Sequence, residues 1–209
     1  MKKEEKNKKE MDIVFLLDRS GSMRGLESDT IGGYNSYLEM QKGKNAKVTT
    51  ILFDNQYEVL HDRKDIKSIK KLTKKEYYVR GCTALLDAIG KTIKKLDEQK
   101  ASKVIFVITT DGYENASKEY SKEQIKELIQ GHSSWEFIYL GAGIDSYSEG
   151  QSIGINRSNI SNYRKDKKGT SKMFGAVAKA SSMMYEEGCI DFSWKEDLNE
   201  YIDNNMENN

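Results

Sequence analysis

"FLLDRSGSM", residues 15–23, joins an apolar run to a loop in which a carboxylate and two hydroxyls stand at alternate positions, Asp18, Ser20 and Ser22. Ile13 to Leu17 is continuous and too short for a helix, as expected of a strand buried on both faces. Its abrupt end at Asp18 leaves four readings open: a phosphoryl-accepting aspartate, a nucleophilic serine, a metal-ligand loop or a plain turn.

Outward from this stretch the hydrophobic period switches back and forth. Ile31, Tyr34 and Leu38 fall at i, i+3 and i+7 and predict a helix starting near Ser28 or Asp29. Val48–Phe53 and Tyr57–Leu60, separated by the polar "DNQ", read as a β-hairpin, so one strand runs antiparallel. In "RGCTALLDAIGKTIKKLDEQ", Leu85, Leu86, Ile89, Ile93 and Leu96 mark one helical face, with Thr83 placed as an N-cap. "KVIFVITTDG" is a β-branched and aromatic strand ending at Asp111. Ser121 and Gln124 form a capping-box pattern before Ile125, Leu128 and Ile129. "WEFIYLGAG" is a further strand, followed by a short helix over Asp145–Ile153 and an edge strand near Ile160–Tyr163. Met173, Phe174, Val177, Ser181 and Met184 mark a final helix that ends before Gly188.

Strands alternating with helices at these lengths predict a three-layer, Rossmann-like α/β fold: an open, mostly parallel sheet with one antiparallel edge hairpin strand and helices on both faces. One domain over residues 11–188 is expected, preceded by a disordered charged tail (1–10) and followed by a partly disordered extension (189–209), with "DNNMENN" as its tail. In open sheets of this kind ligands bind outside the carboxyl ends of the strands, where strand order reverses. Asp18 and Asp111 both stand there, and Thr83 begins a helix.

Composition narrows the partners. Among 209 residues, 34 Lys and Arg against 33 Asp and Glu leave a net charge of +1, so no global field argues for nucleic acid or an anionic membrane. Apolar runs such as Val104–Ile108 fall far short of the roughly 20 residues that span a bilayer, and "MKKEEKNKKE" lacks a signal-peptide apolar region. Cys82 and Cys189 make no disulfide framework, and His61 and His132 complete no zinc motif. A cytoplasmic protein is expected. Cys82 is expected to be an inert thiol, and His132 and the Met183-Met184 pair to be structural or surface residues.

Asp18, Ser20, Ser22, Thr83 and Asp111 together offer only hard oxygen donors. Mg²⁺ takes roughly six oxygens at about 2.0–2.1 Å and keeps several waters, so a few protein oxygens and an open position suit it, and Mn²⁺ accepts the same donors. "DRSGS" has the D-x-S-x-S form of the metal-ion-dependent adhesion site of von Willebrand factor type A domains. "RGCTALLDAIG" resembles that family's second loop and "ITTDGYEN" its third, in the same order and at similar separations. The resemblance spans about Met11 to Tyr185 and implies the fold argued above. It also implies that Asp18, Ser20, Ser22, Thr83 and Asp111 bind the metal, some directly and some through water. The commoner Gly-Gly before the threonine is Gly81-Cys82 here.

The function so implied is a non-enzymatic interaction module whose bound Mg²⁺ or Mn²⁺ receives an Asp or Glu carboxylate of a partner protein. Arg19, Met23, Arg24, Tyr113 and Glu114, on loops flanking the ligands, are the expected partner-binding rim. A Mg²⁺-dependent phosphatase or phosphotransferase using Asp18 is the alternative. It calls for a second aspartate two residues on, where this chain has Ser20. A serine hydrolase lacks its G-x-S-x-G elbow, and His61 has no triad role. A third reading has the metal bound for stability alone.

Overall fold

The computed structural model describes residues 10–206, so the expected N-terminal tail, apart from Glu10, and residues 207–209 lie outside the described residues. All eight residues of β1 (Met11–Asp18) are buried, because the strand lies inside the sheet with a neighbour on each edge. β2 (Ala46–Phe53) pairs with it in parallel from Met11↔Ala46 to Asp18↔Phe53. β3 (Tyr57–Asp65) folds back antiparallel on β2 and forms one edge. On the other side β4 (Val104–Thr110) pairs in parallel with β1 from Asp12↔Val104 to Leu17↔Thr109. β5 (Glu136–Gly141) and the short β6 (Ile160–Asn162) extend the sheet in parallel. The order β3-β2-β1-β4-β5-β6 is the mostly parallel sheet with one antiparallel edge strand expected above.

Alternation along β1 divides the core in two. Ile13, Phe15 and Leu17 face α1 (Glu27–Gln41) and α5 (Lys167–Glu186), and Phe15 meets the Tyr34 and Tyr37 rings edge-on at 5.3 and 4.8 Å between centroids. Val14 and Leu16 face the opposite layer, where α2 (Leu85–Glu98) and α3 (Lys122–Gly131) bring in Leu85, Ile89, Ile93 and Ile125. α4 (Ser146–Ser152) packs against the β5–β6 edge. The capping box of α3 is present in both halves: Ser121 Oγ accepts from Gln124 N, and Gln124 Oε1 accepts from Ser121 N.

Two expectations are corrected. Thr83 is not the cap of α2: the capping position is Ala84, with no side-chain bond of its own. Asp203–Met206, expected as tail, form the last turn of α6 (Glu196–Met206). The segment after Gly188 also completes the α1–α5 core, burying Trp194, Leu198 and Ile202. The Trp194 indole donates to the Ser158 carbonyl, and the Lys195 ammonium donates to the carbonyls of Arg157 and Ile160, which fastens this segment to the β6 edge. No helix among the described residues is long and apolar enough to cross a membrane.

The chain leaves β1 for β2 on one side and reaches β4 on the other. Strand order therefore reverses between β1 and β4, and the crevice beyond their carboxyl ends is the place such sheets reserve for ligands.

Candidate metal centre

Three loops meet at that crevice and are bonded to one another through their backbones. The loop after β1 joins the one before α2 through Gly21 N to Gly81 O (3.1 Å) and Arg80 N to Arg19 O (2.8 Å). Gly81 takes φ +67° there, and a Cβ on it would stand 2.2 Å from Asn55 Oδ1, so glycine alone fits beneath this junction. The loop after β4 joins the second through Asn115 N to Thr83 O (3.0 Å), while Thr83 N donates back to Asn115 Oδ1 (2.9 Å).

This frame gathers all five expected ligands. Ser22 Oγ donates to Asp111 Oδ1 at 2.5 Å and lies 3.0 Å from Ser20 Oγ. A Cβ on Gly112 would stand 3.2 Å from both Ser22 Oγ and Thr83 Oγ1, so these two hydroxyls flank one point of the third loop. Asp18 lies deepest, fully buried, with Oδ1 accepting from Ser20 N (2.7 Å) and Oδ2 from Thr110 Oγ1 (2.6 Å). Burial raises its carboxyl pKa to about 6, although the Thr110 and Ser20 hydrogen bonds pull the other way. Tyr77 donates its phenol to the Asp18 carbonyl at 2.5 Å.

The donor set fits a hard divalent cation. Among the described residues no cluster of three or more His, Cys, Asp or Glu forms, so the donors are two carboxylates and three hydroxyls. Asp111 Oδ2 is buried without an aligned hydrogen bond; the Lys165 ammonium lies 2.9 Å from it as an ion pair. A buried carboxylate oxygen left in this way is suited to a cation.

The expected rim is largely withdrawn from solvent. Arg19 is fully buried: its Nε donates to Asp54 Oδ2 (2.9 Å) and its Nη1 lies 2.7 Å from Glu58. Arg80 Nε donates to the same Asp54 oxygen (2.7 Å), and both guanidinium groups stand about 5.5 Å from the centre of the Tyr78 ring. Met23 is buried in the loop. The Glu114 carboxylate accepts from the backbone of Leu86, Ala116 and Ser117 and from the Ser117 hydroxyl, so it serves the start of α2. Arg24 and Tyr113 are exposed at the mouth, with Tyr113 Oη accepting from Asp145 N.

Sequence reasoning missed Thr110, Tyr77 and Lys165. Thr110, adjacent to Asp111 in "ITTDG", carried a local signal. Tyr77 and Lys165 carried none, because their contacts depend on the path of distant connections.

No family model matches the sequence, and no curated protein matches it. Solved structures do match. The ArnB paralog VWA2 from Sulfolobus acidocaldarius superposes with TM-score 0.57 at 21% identity, covering 81% of this chain and 44% of that one. A von Willebrand factor type A protein from Catenulispora acidiphila gives 0.60 at 14%, over 82% and 42%. Proximal thread matrix protein 1 from the mussel byssus, with a zinc-occupied MIDAS motif, gives 0.60 at 17%, over 82% and 45%. The chain thus spans less than two thirds of each of these proteins. At such identities the likeness lies in the sheet and its surrounding helices: the chain has a von Willebrand factor type A-like fold.

Proposed function

We propose that this domain is a divalent-cation-dependent protein interaction module and not an enzyme. The observation that carries the reading is the bond from Ser22 to Asp111, residues 89 positions apart, formed beside Thr83 at the reversal point of the sheet. Asp18, Ser20, Ser22, Thr83 and Asp111 hold Mg²⁺ or Mn²⁺. The bound cation supplies positive charge at the mouth of the crevice, where it attracts an Asp or Glu carboxylate of the partner. Asp18, with both oxygens already accepting hydrogen bonds, suits contact through a water, while the hydroxyl donors add no charge and leave the cation only partly neutralised. Arg24 and Tyr113 are the rim residues free to touch the partner.

The same burial argues against Asp18 as a phosphoryl acceptor. A nucleophilic oxygen must be open to the substrate, whereas both oxygens here are enclosed and occupied. Both cysteines are free and exposed, which suits a reducing, cytoplasmic setting.

Calorimetric titration with Mg²⁺, Mn²⁺ and Zn²⁺, followed by capture of partners with and without chelator, tests the reading. Saturable binding and a chelator-sensitive acidic partner are expected. Metal binding without any chelator-sensitive partner would favour a purely stabilising ion. Turnover of a phosphate ester that is lost in Asp18→Asn would replace the reading with the enzymatic one.

A further inference from the structure

Lys165 lies on the connection between β6 and α5, far in sequence from every ligand, yet its ammonium reaches the centre. Nζ stands 2.9 Å from Asp111 Oδ2 and donates to the Asp111 carbonyl at 3.4 Å. Its stem crosses Gly143, where φ is +71° and a Cβ would lie 3.0 Å from Lys165 Cε and 3.3 Å from Nζ. The turn after β5 therefore leaves open the path along which the side chain arrives. Among the described residues Lys165 is the only cationic side chain paired with Asp18 or Asp111. The Asp111 side chain is fully buried, whereas that of Lys165 is 41% exposed and can swing into water.

We propose that Lys165 is a tethered competitor for divalent cations at Asp111 and sets the concentration at which the site fills; this rests on the metal-site reading above. Asp111 Oδ1 is engaged by Ser22, so Oδ2 is the oxygen an incoming ion has to claim, and it is the oxygen the ammonium holds. With the ammonium 41% exposed, water screens this pair and its contribution is small. The ammonium therefore raises the threshold for cation binding without blocking it. A monovalent ion brings no more charge than the ammonium it would displace, so the device also favours divalent ions.

The test is calorimetric titration of the wild type, Lys165→Met and Lys165→Arg with Mg²⁺ and Mn²⁺, accompanied by thermal melting in chelator and in saturating Mg²⁺. The Met variant should bind about two- to fivefold more tightly, and the Arg variant close to the wild type. In chelator the Met variant should melt below the wild type, with the gap closing in Mg²⁺. Equal or weaker cation affinity in Lys165→Met would overturn the competition and leave the metal site standing. No cation binding by any of the three folded proteins would overturn the metal-site reading and this inference with it.

Discussion

β1 carries a buried aspartate near each end, and the fold treats the two in opposite ways. Asp12 is met by Arg63 of β3 in a two-pronged pair, Nε to Oδ1 at 2.7 Å and Nη2 to Oδ2 at 2.9 Å. Asp18, equally buried, receives one amide and one hydroxyl and, among the described residues, pairs with no cationic side chain. Asp54, just past the end of β2, follows Asp12: two arginines share one of its oxygens. A buried carboxylate with its own arginine is a structural element that is already neutralised. One held only by neutral donors, with its pKa raised to about 6 by burial, still calls for a positive charge from elsewhere.

The comparison can be broken by exchanging charges. Asp18→Ala or Asp111→Ala should abolish the heat of Mg²⁺ binding, the largest effect expected; titration that proceeds unchanged in both would make Asp18 as structural as Asp12. Asp54→Asn, which leaves the buried Arg19 guanidinium without its carboxylate, should cost about 3–5 kcal/mol in denaturant unfolding. Asp18→Asn, measured in chelator, should cost little, because it removes a desolvated charge while keeping the shape. If the two Asn variants lose equal stability, the distinction between the two kinds of aspartate fails.

A buried group kept neutral sharpens the contrast. His61, against Thr50 Oγ1 (3.1 Å) and Tyr34 Oη (3.5 Å), has its pKa lowered from 6.5 to about 4, first by burial and then by the nearby Lys64. The unfolded chain therefore takes up a proton in this window that the folded chain refuses. Stability is retained above pH 6.5 and should fall by about 2 kcal/mol as pH drops toward 4, a slope that His61→Gln should flatten in unfolding curves. The smallest effects on stability belong to the rim. Arg24→Ala and Tyr113→Ala should weaken partner capture yet leave unfolding within about 0.5 kcal/mol of the wild type.

What was legible in the sequence was local. The apolar period placed the strands and main helices, and Ser121 and Gln124 announced the start of α3 because both halves of that box lie within four residues. The loops of the candidate site could be picked out because Asp18, Ser20 and Ser22 share one turn, while Thr83 and Asp111 each follow a recognisable pattern. The failures were long-range. Thr83 looked like a cap, but its amide and carbonyl are tied to Asn115, and the first amides of α2 are served by Glu114 and Ser117 from the loop after β4. Arg19 looked like a rim residue because its acceptor, Asp54, lies 35 residues away, just past the end of β2. Residues 203–206 looked too polar for a core, yet they extend a helix whose inner side carries Leu198 and Ile202.

The inner position of β1 also has a consequence for how the chain matures. Its two neighbours come from residues 46–53 and 104–110, so during synthesis β1 is made before either and keeps one backbone edge unpaired until β4 exists. Pairing across such separations is slow, and open edges invite misassociation. The loops carrying Asp18, Thr83 and Asp111 meet only when that edge is closed. A nascent or misfolded chain therefore presents these groups scattered, and only a chain that has finished folding presents them as a set.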